Sequence, residues 1–370
     1  ALCPAMGRRQ LFLRPHDREN IGMLPLNKIL VINVNWLGDV IFSSPVFTNL
    51  RRAYPQAKIV CVAVPRVREI LECVPGIDEI IVYDEKKSGL FATFALIGKL
   101  RREKFDAVFY IHNSLTRTWL GFLAGIPVRV GYDVKGRGAL LTHKFPDPKD
   151  YIHRSDRYLN VIEQFGVPVT DRTNVVHVQS EAKNFIQTLF QERGIREGDF
   201  KIAVNLGANW NLKKWPAGHF SRLIERLMTE LNVKIIIPGA DKDVAPAQAI
   251  CAPLTHKPVI LAGETNLKQL MALMQSVDLV ISADSGPLHI SNAVGADVMG
   301  IFGATSLEIA KPRGTGRVVA LRRDVGCNRG PCYYLECPDN ICMRAVSVDD
   351  VVSAVRNFVG ARRDVPVDAS

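Results

Sequence analysis

Four short polar clusters in this 370-residue chain hold residue types that do chemistry at usable spacings. The first is Asn35-Trp36-Leu37-Gly38-Asp39, which follows the apolar run Lys28–Val34. A carboxylate at such a strand-to-helix turn points beyond the strand, where Asp39 would serve as a general base. Aspartate also caps helices, and the local pattern leaves both roles open. The second cluster is Gly207–Pro216 (GANWNLKKWP), whose lysines Lys213 and Lys214 offer the positive charge a diphosphate needs. The third is Asp243, at a helix start after Pro238-Gly239-Ala240, placed to cap that helix or to accept from a ribose hydroxyl; Asp241 fits the same start. The fourth is Asp284-Ser285-Gly286-Pro287 with His289. Free backbone N–H groups and a partial positive charge at that helix start suit a phosphate, although a capped turn without a ligand has the same sequence.

Each cluster needs a strand before it and a helix after it, and the chain supplies them. Apolar runs read as buried parallel strands at Lys28–Val34, Lys58–Val64, Glu79–Tyr83, Ala107–Ile111 and Val128–Tyr132. Helical patterns over Val40–Tyr54, Glu69–Val74, Leu90–Glu103 and Leu115–Ala124 separate them. Gly131–Asp150 reads as a basic loop, and Ile152–Phe165 as a helix. After the polar stretch Asp171–Gln179 the alternation resumes, with strands at Lys201–Leu206, Val233–Pro238, Val259–Leu261, Leu279–Ser282 and Val298–Phe302. Helices fall at Ala217–Leu231, Asp243–Cys251, Leu267–Val277 and Ser347–Val359, and a Gly/Arg/Cys-rich segment precedes the last. Strand–helix alternation over this length predicts an α/β protein of two doubly wound, Rossmann-like domains facing a cleft. The expected divisions are a basic leader over 1–26, domains over 27–175 and 176–346, and a helix and tail over 347–370.

Composition bounds the partners. The net charge is +10, and residues 1–180 carry 25 Lys/Arg against 17 Asp/Glu while 181–370 carry 22 against 20. A one-sided excess predicts an anionic partner for the first half. No motif of a nucleic-acid binder accompanies it, so nucleic acid is not expected. No apolar run reaches membrane-spanning length, and the first twenty residues lack a signal-peptide core, which predicts a cytoplasmic protein whose natural start is Met6 or Met23. Of eight cysteines, Cys327, Cys332, Cys337 and Cys342 stand five apart. That is not the paired spacing of a zinc site, and reduced thiols without a metal are expected.

These residues together resemble the bacterial lipopolysaccharide heptosyltransferases, glycosyltransferase family 9, and within them the heptosyltransferase II branch. The resemblance runs from about Lys28 to Val359 and is carried by ILVINVNWLGDVIFSSPVFTNLRRAYP, HNSLTRTWLGFLAGIPVRVGY, KKWPAGHF, ISADSGPLHISNAVGADVMGIFG and CYYLECPDNICM. It implies a GT-B fold, an acceptor in the N-terminal domain, ADP-heptose in the C-terminal one, and an inverting transfer with no cofactor and no metal. It implies that Asp39 is the general base and Lys213 the phosphate-binding lysine, with Asp284, Ser285, Gly286 and His289 forming the donor-diphosphate loop. Asn209, Lys214, Asp243 and Thr265 complete the expected donor contacts, although Asn209-Trp210-Asn211 departs from the family's usual residues there. The positive first half then fits an anionic glycolipid acceptor, with Arg66, Arg68, Asn113, Ser114, Arg129, Lys135 and Arg137 as expected contacts and a peripheral approach to the inner membrane surface. Other readings of the same residues are a GT-B enzyme or epimerase using another nucleotide sugar, and a non-catalytic nucleotide-sugar sensor.

Overall fold

The computed structural model describes residues 24–84, 89–148, 152–208, 210–327, 332, 337 and 339–363, so most of the expected leader and the end of the tail lie outside it. Twelve strands form two six-stranded sheets, one in each lobe. The first lobe holds β1 (Lys28–Ile32), β2 (Lys58–Ala63), β3 (Glu79–Val82), β4 (Ala107–Tyr110), β5 (Val128–Tyr132) and β6 (His143–Phe145), in the order β3-β2-β1-β4-β5-β6. The second holds β7 (Lys201–Asn205), β8 (Lys234–Ile237), β9 (Val259–Ile260), β10 (Leu279–Ala283), β11 (Val298–Ile301) and β12 (Val318–Leu321), in the order β12-β11-β10-β7-β8-β9. Every pair is parallel. The central strands are buried along almost their whole length, as parallel strands covered on both faces must be.

Three elements lie outside the sequence expectation. β6 falls in the segment read as a basic loop, and β12 in the Gly/Arg/Cys-rich one. Both are short edge strands: β6 is three residues of mixed polarity, and β12 is a four-residue apolar run. Helix Ser180–Glu192 directly follows the polar stretch between the domains and buries only Ala182, Ile186, Leu189 and Phe190.

The lobes touch through helix Leu37–Ala53 of the first and helix Gly286–Ala293 of the second. Pro45 sits inside the former and removes one N–H, leaving the Ile41 carbonyl without its helical donor. That carbonyl instead accepts from the Ser44 hydroxyl at 2.8 Å and from Asn174 Nδ2 at 3.1 Å. Asn174 belongs to the polar segment between the lobes, and its N–H donates to the Arg313 carbonyl on the other side at 2.8 Å. The connecting segment is thereby tied to both lobes. Helix Val348–Arg363 packs on helix Ala217–Leu231 and belongs to the second lobe.

Candidate active site

Strand order locates two crevices. In the first sheet the direction of winding reverses between β1 and β4, and in the second between β7 and β10. Open α/β sheets bind ligands beyond the carboxyl ends of strands at such points. Asn35–Asp39 follows β1 and His112–Ser114 follows β4, while Lys213 lies in the loop after β7 and Asp284 directly follows β10.

At the first crevice, Trp36 is the N-cap of helix Leu37–Ala53 and no side chain caps it. Asp39 is in the first turn, its carboxylate turned instead toward helix Arg154–Gln164. The Tyr158 hydroxyl donates to Asp39 Oδ1 at 3.2 Å, and an Arg154 guanidinium nitrogen lies 3.7 Å from the same oxygen. Burial pushes the Tyr158 phenol well above its ordinary pKa, and the Asp39 charge adds to this, so it stays a donor. Asp39 opens on a cavity of about 370 Å³ whose walls include Trp36, His112, Asn113, Lys135, Asp147 and Arg157. Arg157 is paired with Asp147. Arg117, fully buried, donates to the Asn33 carbonyl at 3.1 Å and to Asn35 Oδ1 at 2.9 Å, fixing the turn that carries Asp39. Sequence reasoning passed over Arg117, Arg154, Arg157 and Tyr158. Arg154, Arg157 and Tyr158 recur at helical spacing in a segment correctly read as a helix, which was the available signal.

The expected acceptor contacts divide. Arg66 donates to the Asn35 carbonyl at 2.7 Å and stacks 4.1 Å over Trp36 at the cavity edge. Lys135, held at φ 53°, lines the cavity. Ser114 caps helix Leu115–Leu123 through Arg117 N, at 3.3 Å. Asn113 accepts from Arg137 at 2.8 Å. Arg137 itself corrects the expectation. It is fully buried, and it donates to the Tyr132 carbonyl at 2.7 Å and the His112 carbonyl at 2.8 Å, so its guanidinium braces the loops instead of facing a ligand. Burial lowers its pKa to about 10. Arg129 is a second correction: it starts β5, at the edge away from the cavity, and donates to the Leu140 and Ile126 carbonyls at 2.6 Å each. Arg68 is a third, pairing with Glu72 at 2.7 Å one turn along an exposed helix.

At the second crevice, Lys213 Nζ meets Asp284 Oδ2 at 2.6 Å, the Thr305 hydroxyl donates to the same oxygen at 2.5 Å, and His289 Nε2 donates to Oδ1 at 3.0 Å. Asp284 is only 3% exposed. Burial alone would raise its pKa, but the His289 and Lys213 bonds outweigh this and hold the carboxyl well below the usual range. Asp284 therefore does not face a diphosphate. A buried, satisfied carboxylate behind Lys213 aims the ammonium, and His289, buried against Phe42 with ring centroids 4.5 Å apart, sits behind it as well. The two side chains support from behind the loop in which the resemblance places them. Ser285 N-caps helix Gly286–Ala293, but its hydroxyl turns back to Asn205 Nδ2 at 3.2 Å and Ser282 at 3.0 Å, leaving the first turn without a side-chain cap.

Gly286 permits the lobes to meet here. A Cβ on Gly286 would stand 3.2 Å from Leu37 Cβ, and one on Gly38 would stand 3.3 Å from the His289 ring. Two helix starts thus converge at the cleft, with Asp39 on one and the Asp284–Lys213 pair beside the other. Along the second sheet the remaining donor candidates follow the strand order: Lys213 after β7, Asp243 after β8 and Thr265 after β9. From β10 to β9 is three strand spacings, roughly 14 Å, the span of an extended nucleoside diphosphate. Asp243 Oδ2 accepts from Ala240 N at 3.0 Å and lies beside Gly207. Thr265 Oγ1 is buried with no hydrogen-bond partner among the described residues. Lys214 is exposed, and Asn209 lies outside the described residues.

Residues 93–332 match glycosyltransferase family 9 (heptosyltransferase). The chain belongs to glycosyltransferase family 9. It is 28% identical to lipooligosaccharide heptosyltransferase 2 of Haemophilus influenzae, over 77% of this chain and 85% of that one. To lipopolysaccharide heptosyltransferase 2 of Escherichia coli it is 26% identical over the same shares. A family 9 glycosyltransferase structure from Veillonella parvula superposes with a TM-score of 0.78 at 25% identity, covering 91% of this chain and 98% of that one. The structure of E. coli ADP-heptose lipopolysaccharide heptosyltransferase II gives 0.75 at 22% identity, covering 91% and 99%. The fold is the GT-B arrangement of this family, and the protein is an enzyme of its glycosyltransferase class.

Two further features of this family 9 chain bear on the site. Cys327, Cys332, Cys337 and Cys342 are free thiols that line one cavity with Leu212, next to Lys213. Among the described residues, no three His, Cys, Asp or Glu side chains are grouped as metal ligands would be, and no helix is long and apolar enough to cross a membrane. His153 bridges the lobes: its Nε2 donates to the Lys311 carbonyl at 2.8 Å and its Nδ1 accepts from Ser155 N at 3.2 Å, which fixes the neutral ring. Burial lowers its pKa to about 4. The unfolded chain binds that proton near pH 6.5. The neutral ring's contribution is therefore complete above that value and is lost as pH falls from about 6.5 toward 4, up to about 3 kcal/mol. Melting temperatures measured across this window should fall less steeply for His153→Asn than for the wild type; equal slopes would remove His153 from the pH dependence.

Proposed function

We propose that this enzyme transfers a heptose from ADP-heptose to the inner-core oligosaccharide of lipopolysaccharide, inverting the anomeric centre, with Asp39 as general base. The observation that carries the reading is the meeting of two crevices across the Gly38–Gly286 contact, a carboxylate at one and a buried-carboxylate-supported lysine at the other. In a single displacement the acceptor hydroxyl oxygen forms a bond to heptose C1 while the bond from C1 to the β-phosphate oxygen breaks. The hydroxyl proton passes to Asp39. The charge that develops on ADP falls between Lys213 and the first turn of helix Gly286–Ala293, fixed partners in place before the reaction. Base and leaving group then lie on opposite faces of the sugar, which requires inversion.

Arg66 and Lys135 at the Asp39 cavity are suited to an anionic acceptor, and Asp243 and Thr265 to the nucleoside end of the donor. Work on a lipid-borne acceptor would take place at the cytoplasmic face of the inner membrane. No nucleic acid has a part, and no cofactor is required by the step as written.

The test is a donor screen on the purified protein with ADP-heptose, UDP-sugars and GDP-sugars and a short acidic core acceptor, with and without EDTA. Release of free nucleotide is expected with ADP-heptose alone, at the same rate under chelation. Proton NMR of the product should show the inverted anomer. Turnover with another nucleotide sugar would reassign the donor, and tight donor binding without turnover would make the protein a sensor.

A further inference from the structure

Among the described residues, the most exposed apolar side chains of the first lobe gather on one surface outside the catalytic cavity. Leu90, Phe91 and Phe94 are 76%, 94% and 66% exposed, all in the first two turns of helix Gly89–Glu103. On the neighbouring helix Leu115–Leu123, Trp119 and Leu123 are also exposed. The opposite sides of both helices are spent on the core, where Leu96, Ile97 and Leu100 pack with Leu120 and Ala124. Among the described residues, none covers these outer apolar faces, and exposed aromatic clusters of this kind mark a contact with something apolar.

The charge around the cluster identifies the partner. Residues 89–129, which contain both helices, hold six Lys/Arg and two Asp/Glu. Arg117 and Arg129 face backbone carbonyls, and Arg101 is exposed but donates to the Leu123 carbonyl at 2.6 Å, while Arg102 and Lys104 are exposed. Helical spacing puts Phe91, Ala95, Gly98 and Arg102 on one stripe, so the outer face starts apolar and ends basic. A second copy of the chain would bring this excess against itself. A surface that is negative outside and apolar beneath accepts both halves of the stripe. Position agrees: helix Gly89–Glu103 begins beyond the carboxyl end of β3, the same edge of the sheet on which the Asp39 cavity opens.

We infer that the outer faces of helices Gly89–Glu103 and Leu115–Leu123 form a docking surface for an anionic phospholipid bilayer, the aromatic turns entering the headgroup region and the arginines lying on its negative surface. The proposal deepens the reading of a lipid-borne acceptor, because it holds the cavity mouth beside the layer in which such an acceptor sits.

The full chain is to be sedimented with phosphatidylcholine vesicles, alone or mixed with phosphatidylglycerol, none carrying an acceptor, so the outcome is independent of the transferase reading. The wild type should pellet with the anionic vesicles and be released by high salt. Phe91→Glu combined with Phe94→Ser should weaken that binding by roughly tenfold or more, with an unchanged melting temperature and unchanged transfer to a delipidated, water-soluble acceptor. Arg101→Gln combined with Arg102→Gln should weaken it by about fivefold per charge and reduce its salt dependence. Wild-type protein left in the supernatant would overturn the proposal, as would equal binding by both variants. A wild-type dimer seen by light scattering and dissolved by the Phe91/Phe94 variant would also overturn it and give the face to a second copy.

Discussion

An Asp39→Asn enzyme is expected to bind ADP as the wild type does and to lose two to four orders of magnitude in kcat, the range a positioned general base contributes. The argument is geometric. Asp39 is not the helix cap, because Trp36 holds that position, and it makes no hydrogen bond that closes the helix. Its bond from Tyr158 and the nearby Arg154 orient one carboxylate oxygen and leave the carboxylate facing the cavity. Asparagine keeps the size and can still accept from Tyr158, so the fold and the second-lobe donor crevice stay intact, yet the amide cannot take a proton. Stopped assays of ADP release, with calorimetric titration of ADP, separate the two effects. A variant that kept more than about a tenth of the wild-type kcat would place the base elsewhere. Tyr158→Phe supplies the complementary result, a smaller loss of about tenfold, since it removes the group that positions the carboxylate and not the carboxylate itself.

The contrast between Asp39 and Arg137 shows what was legible in the sequence. Apolar runs followed by Gly-, Asp- and Ser-containing turns reveal parallel strands and the crevices at their ends, so the two sheets and the places of Asp39, Lys213 and Asp284 could be read in advance. Edge strands could not: His143–Phe145 is three residues of mixed polarity, and the apolar run Val318–Leu321 is only four residues long among Gly- and Arg-rich flanks. Nor could the destination of an arginine. Arg66 and Arg137 look alike in sequence, each in a turn after a strand, yet one stacks on Trp36 at the cavity edge and the other is consumed by the Tyr132 and His112 carbonyls and the Asn113 side chain. Which outcome holds depends on whether unpaired carbonyls from distant segments converge on the side chain, a property of packing and not of local pattern. Arg117 makes the same point in reverse. It looked like one polar residue on an amphipathic helix, and it holds the turn that carries the base.

Asp284 carries the last expectation, because sequence and structure give it different work. As a direct diphosphate contact its carboxylate would repel the ligand, and its removal would tighten donor binding. As the buried partner of Lys213, His289 and Thr305, it loses on replacement by asparagine the charge that holds the ammonium and one of its two acceptor oxygens, so donor binding and turnover should both fall. Lys213→Ala is expected to cost about 10² to 10³ in kcat, as loss of a group stabilising developing charge does. Asp284→Asn should reach a comparable loss through the displaced lysine, and the double variant should be little worse than Lys213→Ala alone. That lack of additivity is the signature of one residue acting through another. Kinetics of the four enzymes, with ADP affinities, complete the cycle. Fully additive losses would mean that Asp284 supports the donor independently of Lys213, through His289 and the start of helix Gly286–Ala293. Tighter ADP binding in Asp284→Asn would restore the direct contact that the sequence suggested.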